Sequence, residues 1–245
     1  MADTQHLENA PIREALIDIR SAATTDFDVL GSAYIKFSDS YPTVENLQRR
    51  EIGLKISPEA QSSKLEQQNL NIGYKYTSKD GKYIVQFRLD GFTFSRLDPY
   101  ETWESMRDEA RRLWTIYLSV AKPGIITRVA VRYINALALP FPINDFKEYL
   151  TAPPEVPEGL PQSVAGFLSR IVLKEPSINA DCIFTQALED VNQDVVNVVL
   201  DIDAFMPSTF NANELDFWDK IEQLRSFKND VFFKSITNKT IGLYQ

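Results

Sequence analysis

Histidine and cysteine are almost missing from this chain, with one of each, His6 and Cys182, in 245 residues. A Cys/His zinc site needs several such ligands, so that class is effectively excluded. A histidine-activated serine or cysteine nucleophile is nearly excluded too, because His6 lies in an end segment expected to be loose. A lone cysteine forms no internal disulfide, which suits a reducing cytoplasm. Glycine is scarce, with nine in all, and no phosphate-cradling glycine loop is present. No apolar run approaches the ~20 residues that a bilayer-spanning helix needs. The N-terminus, Met1-Ala2-Asp3-Thr4-Gln5-His6, is polar and does not fit a secretory signal. Basic residues are outnumbered 26 to 34, giving a net charge of −8. That disfavours a broad electrostatic footprint for nucleic acid. The expectation is a soluble cytoplasmic protein with no membrane span.

What the chain does have is an ordinary globular share of apolar residues, 44%, enough for one large domain or two small ones. Its clearest pattern runs over residues 83–118. Tyr83, Val85, Phe87 and Leu89 alternate with Ile84, Gln86 and Arg88, the period of a strand. From Trp103, the positions Met106, Ala110, Leu113, Trp114, Tyr117 and Leu118 recur at helical steps. Upstream, residues 12–20 read as a strand, and Phe27, Leu30, Tyr34 and Phe37 as a helix that stops before Pro42. Residues 47–56 and 71–77 read as strands, with an exposed polar loop over 57–68 and a tight turn at Lys79-Asp80-Gly81. Downstream, the pattern predicts a long strand over 125–139, a short helix near 145–150 and an extended proline-rich connection over 151–161. Strands follow over 167–173, 180–188 and 195–205. A last helix over 214–235 turns Trp218, Ile221, Leu224, Val231 and Phe232 inward.

The two halves match in outline. Leu89-Asp90-Gly91-Phe92, then Ser95 and Trp103, parallels Ile202-Asp203-Ala204-Phe205, then Ser208 and Trp218. Each half reads strand, helix, three strands, long helix, so the expected fold class is α+β, built from tandem duplicated units. Units of 11–122 and 123–245, behind a flexible 1–10, form either two domains or one fused domain. Their antiparallel sheets, each with a long helix packed on it, stand apart or join as one continuous curved sheet. Taken alone, Asp90-Gly91 is a hairpin signal. Its counterpart Asp203-Ala204 is a poor turn, because alanine disfavours positive φ. The comparison therefore favours a bend or bulge in one long strand, with the tight hairpin as the alternative.

Two sets of residues carry candidate chemistry. Asp201 and Asp203, two apart on a strand, share a face. With Asp18 they make a carboxylate set suited to Mg²⁺ and to phosphoryl or nucleotidyl transfer. The plain structural reading has these aspartates and Asp90 pairing with arginines or turn amides. The second set is Gln86, Arg88, Arg96, Arg128, Arg132 and Gln186, with Arg170 and Asn135 beside them. Planar guanidinium forks in a sheet suit phosphate or carboxylate, while a solvated face of ion pairs is the structural alternative. Trp103, Trp114 and Trp218 read as core by their spacing, and Cys182 as inert and buried.

Over Asn9-Ala10-Pro11-Ile12-Arg13-Glu14-Ala15, Val85-Gln86-Phe87-Arg88-Leu89-Asp90-Gly91-Phe92-Thr93-Phe94-Ser95-Arg96-Leu97 and Arg128-Val129-Ala130-Val131-Arg132-Tyr133-Ile134-Asn135, the chain resembles a sporadically distributed bacterial protein family of about this length. The resemblance continues through Leu160-Pro161-Gln162, Thr185-Gln186-Ala187-Leu188, Leu200-Asp201-Ile202-Asp203-Ala204-Phe205 and Ser235-Ile236-Thr237, and so covers nearly the whole chain. That family has no assigned activity. The resemblance implies an accessory protein of patchy distribution, of the kind found in bacterial defence or conflict systems. It supplies no catalytic residues.

The residues favour a non-catalytic binding or regulatory protein that recognises a protein partner or a small anionic ligand, without a cofactor. A protein partner encoded nearby is expected, and a homodimer stays open. Two alternatives stand beside this reading. One is a metal-dependent phosphotransfer or nucleotide-processing enzyme using Asp18, Asp201 and Asp203 with Mg²⁺. The other is a nucleic-acid-binding saddle, which the charge disfavours.

Overall fold

Strand and helix periods alternate along the chain, and in the computed structural model each becomes an element. Residues 7–23, 25–57, 62–191, 194–207, 209–211 and 217–245 are described. In order they form β1 (Ile12–Ser21), α1 (Phe27–Gly31), β2 (Thr43–Ser57), β3 (Ser62–Thr77), β4 (Tyr83–Arg88), β5 (Gly91–Leu97) and α2 (Trp103–Ala121). Then come β6 (Ile125–Pro140), β7 (Leu168–Glu175), β8 (Ala180–Val191), β9 (Val195–Met206), the short β10 (Phe210–Asn211), α3 (Phe217–Ser235) and α4 (Asn238–Ile241). The strands make a single sheet in the order β2-β3-β4-β5-β1-β6-β9-β8-β7, with β10 pairing β6 off that path. Every neighbouring pair is antiparallel. The halves meet where β1 pairs β6, with Ile17 opposite Val131 and Ala15 opposite Tyr133.

The alternation along each strand decides which face is dry. Ala15, Ile17 and Ile19 of β1, Val129, Val131 and Tyr133 of β6, and Leu200, Ile202 and Ala204 of β9 are buried on one face. α2 contributes the stripe Trp103, Met106, Ala110, Leu113, Trp114 and Tyr117, all buried. Its ring contacts show where it lies, with Trp114 5.5 Å from Phe92 and Tyr117 5.4 Å from Phe87. Burying rings of this size is worth roughly 1.5–3 kcal/mol each relative to exposure. The helix starts at Thr102, whose side chain accepts from Ser105 N, and ends at Lys122 in the left-handed region, just before Pro123. α3 packs beside it, Phe217 stacking 5.8 Å from Trp114 while Trp103 Nε1 donates to Glu222 at 2.8 Å. Trp103 and Trp114 are core as expected, whereas Trp218 is only partly buried and its neighbour Phe217 takes the inward place.

Several expectations change. Arg88 pairs with Gly91 across a turn of two residues, Leu89 and Asp90, so Asp90-Gly91 belongs to a tight hairpin and not to a bend. The reason glycine is needed is close approach: a Cβ at Gly91 would run into the Ile19 carbonyl oxygen of β1. Its supposed counterpart, Asp203-Ala204, sits inside unbroken β9. The first half therefore carries four strands after its short helix, one more than expected. The polar stretch read as a loop over 57–68 is mostly strand backbone. β2 pairs with β3 from Thr43↔Thr77 out to Ser57↔Ser62, and residues 58–61 lie outside the described set. Residues 7–10, read as loose, are docked, since Leu7 is buried and Asn9 N donates to Tyr244 O at 3.0 Å. His6, Ser208 and the helix start at Glu214 lie outside the described residues. Among the described residues, no helix is long and apolar enough to cross a membrane.

Candidate functional site

The open face of the sheet holds most of the charged residues singled out by sequence, and it holds them in pairs. Arg128 forks between Asp18, at 3.0 Å, and Asp203, at 2.7 Å, and its guanidinium stacks 4.6 Å from the Phe205 ring. Arg132 makes a two-bonded pair with Asp201 at 2.8 and 2.6 Å. Asp18 also takes both nitrogens of an Arg20 fork, at 3.0 and 2.6 Å, and accepts from Thr93 Oγ1 at 2.7 Å. Arg88 is tied to Asp90 at 2.8 Å. Burial lifts the Asp203 carboxyl above its ordinary value, against the opposing pull of Arg128. Each carboxylate of the Asp18, Asp201 and Asp203 set is thus already satisfied by an arginine. Among the described residues, no group of three or more His, Cys, Asp or Glu side chains is placed to hold a metal ion. An anion arriving at Arg128 or Arg132 would have to displace an aspartate that is fixed by the strand.

The six proposed ligand-binding residues do not converge. Gln86, Arg88, Arg128 and Arg132 lie on the open face, but Arg96 and Gln186 point to the helix-covered face, where both are buried. The hairpin explains the split. Pairing Arg88 with Gly91 puts Phe92, Phe94 and Arg96 on the side of Phe87, Val85 and Tyr83. Arg96 is 1% exposed, stacks 4.5 Å from the Tyr83 ring, and donates to Pro99 O and Glu101 Oε1 at 2.7 and 2.8 Å. Among the described residues, its Nε and Nη1, like Gln186 Nε2, find no hydrogen-bond partner.

On this helix-covered face there is a cavity of about 210 Å³. Its walls are the docked N-terminal segment, the start of α2, Tyr133 and Asn135 of β6, and the Arg225–Phe233 stretch of α3. Lys228 occupies a position on the inward stripe of α3, between Leu224 and Val231, where an apolar residue is the usual choice. It is 6% exposed, and its Nζ sits 3.5 Å from the centre of the Tyr133 ring. No acceptor or carboxylate among the described residues is bonded to that nitrogen. Burial, with Arg225 one turn earlier adding repulsion, pushes the Lys228 pKa down to about 7. The Tyr133 hydroxyl meets that of Tyr100 at 2.8 Å, and burial keeps both phenols protonated, with Tyr100 pushed up to about 12. Arg225 lies over the Trp103 ring at 5.3 Å, with Glu222 3.7 Å away. That carboxylate is mainly taken by Trp103 Nε1 and by Arg107 at 3.1 Å. Glu101 is occupied with Arg96, which leaves Glu8 and Glu104 as the other acids of the wall.

Lys228, Arg225, Tyr100 and Tyr133 were missed in sequence. A signal was available. Taking only apolar residues as inward left a gap of seven between Leu224 and Val231, and the helical step of four after Leu224 falls on Lys228. Cys182 is buried as expected, and burial pushes its thiol up to about 12. Compared with known protein families, curated proteins and solved structures, the chain matches none.

Proposed function

We propose that this protein binds a small anionic ligand in the cavity walled by Lys228 and Arg225. This keeps the class of ligand that the sequence favoured and moves the site from the arginines of the open face to the opposite side of the sheet. The observation that carries the reading is Lys228, a buried amine open to a cavity and bonded to no acceptor among the described residues. An unpaired buried cation is costly, and a bound anion supplies the missing partner. Arg225 adds a second positive group, weakly engaged at 3.7 Å by Glu222. A volume of about 210 Å³ is below the range of roughly 300–1,000 Å³ typical of larger ligands, so the ligand is small.

The reading makes a proton-linked demand. At pH 8 an amine with a pKa near 7 is mostly neutral, and an anion binds best to its charged form. Titration calorimetry with sodium acetate, and separately with phosphate, in buffers of different ionisation enthalpy should show saturable binding with net proton uptake. Lys228→Met should abolish both. Unchanged binding by the variant, or binding without proton uptake, would overturn the reading.

The duplication is part of the same proposal for the chain's origin. Outward from the β1–β6 seam, β1 is followed by β5, β4 and β3, and β6 by β9, β8 and β7, with β2 the additional strand. Superposing β6-β9-β8 on β1-β5-β4 should bring α3 onto α2, and a clear misfit of the two helices would remove the idea.

A further inference from the structure

A lysine attacks carbonyl carbon only as the neutral amine, and proteins obtain that form by removing water and setting a second cation nearby. Lys228 has both conditions: it is buried in α3, and Arg225 lies one turn earlier on the same wall. Nothing among the described residues competes for its lone pair or its protons, since its contact is the face of Tyr133 at 3.5 Å. The groups facing it across the cavity are the protonated Tyr100–Tyr133 hydroxyl pair, Asn135, and the wall acids Glu8, Glu101 and Glu104.

We propose that Lys228 forms a reversible imine with a small oxo acid whose carboxylate faces Arg225. The inference rests on the anion-binding reading above and names its ligand class. Nζ adds its lone pair to the carbonyl carbon, the π pair passes to oxygen, and the two nitrogen protons pass in turn to that oxygen. Loss of that oxygen as water leaves the carbon–nitrogen double bond. Nothing is oxidised or reduced, and hydrolysis returns both partners unchanged. Arg225 can hold the carboxylate through its planar fork while the carbonyl end reaches the amine, which sits one helical turn further along.

The test is reductive trapping on the intact wild-type protein, with pyruvate as the probe and cyanoborohydride as the reductant at pH 7. A buried amine half in its neutral form competes against surface lysines that are almost wholly charged. One lysine adduct per chain is therefore expected, mapped by peptide mass spectrometry to Lys228 and formed at least about tenfold faster there than at any other lysine. Lys228→Arg, which keeps the charge, should lose that adduct. Adducts spread over exposed lysines with Lys228 unmodified would overturn the inference. Acetate titrated without reductant separates the two levels. If acetate binds with proton uptake but pyruvate leaves Lys228 unlabelled, the imine falls and the anion site stands. If acetate does not bind either, both fall.

Discussion

Replacing Lys228 by methionine takes a titrating group out of the core, so its effect on stability depends on pH. The native amine has a pKa near 7, against 10.5 for the ordinary side chain. Between those values the unfolded chain holds a proton that the native chain has released, so wild-type stability rises with pH across this window. Below it the native state carries the full cost of a buried cation. Methionine fills similar space and carries no charge. The stability advantage of Lys228→Met over wild type should therefore be largest near pH 6. It should shrink by up to about 1.4 kcal/mol per pH unit from 7 towards 10. Urea unfolding of both proteins at pH 6, 8 and 9.5 checks this, and a pH-independent difference would show that Lys228 does not titrate in that range. At this scale the sequence was legible in part. The arginines and aspartates of the open face stand out in the sequence, and the structural alternative of mutual ion pairing describes their geometry. Lys228 stayed hidden because a helical stripe defined by its apolar members passes over a polar residue on the same line.

Among the elements, the hairpin between β4 and β5 shows what local pattern cannot supply. Alternation was visible on both sides of Leu89-Asp90, but not the pairing across it, and pairing Arg88 with Gly91 puts Arg96 on the face of Phe92 and Phe94, away from Gln86 and Arg88. Gly91→Ala should test how tightly the turn is held against β1. Its Cβ would meet backbone, which cannot swing aside as a side chain can, so a loss of about 1–3 kcal/mol in urea unfolding is expected. The β2–β3 ribbon is the opposite case. β4 pairs with β3 only from Gly73 to Thr77, so among the described residues no strand lies beside the outer pairs of the ribbon, from Gln48↔Asn71 onward. Residues 47–56 and 71–77 read as strands from sequence, but the polar stretch over 57–68 has no apolar alternation to extend them. Replacing residues 51–68 with an Asn-Gly turn should leave the melting temperature nearly unchanged and acetate binding intact. A large drop in melting temperature would mean that the ribbon packs on the body.

For the whole molecule, the β1–β6 seam makes one sheet of strands from both halves, and a single core cluster contains residues of both. Order of elements was readable from periodicity, but the joining pair was not, because β1 and β6 are more than a hundred residues apart and neither carries a mark that names its partner. A shared seam and core imply one cooperative unit. Scanning calorimetry should give a single transition whose calorimetric and van't Hoff enthalpies agree, and two resolved transitions would show that residues 11–122 and 123–245 unfold separately.

The one cysteine lies at 0% exposure in β8. A thiol reagent can reach it only when the sheet around it opens, so the native chain carries its own reporter of opening frequency. Modification at neutral pH should be far slower than for a free thiol, and at high reagent concentration its rate should level off at the rate of opening. Adding a ligand that seats in the Lys228 cavity should slow that rate further, which turns Cys182 into a readout of binding at a site it does not touch.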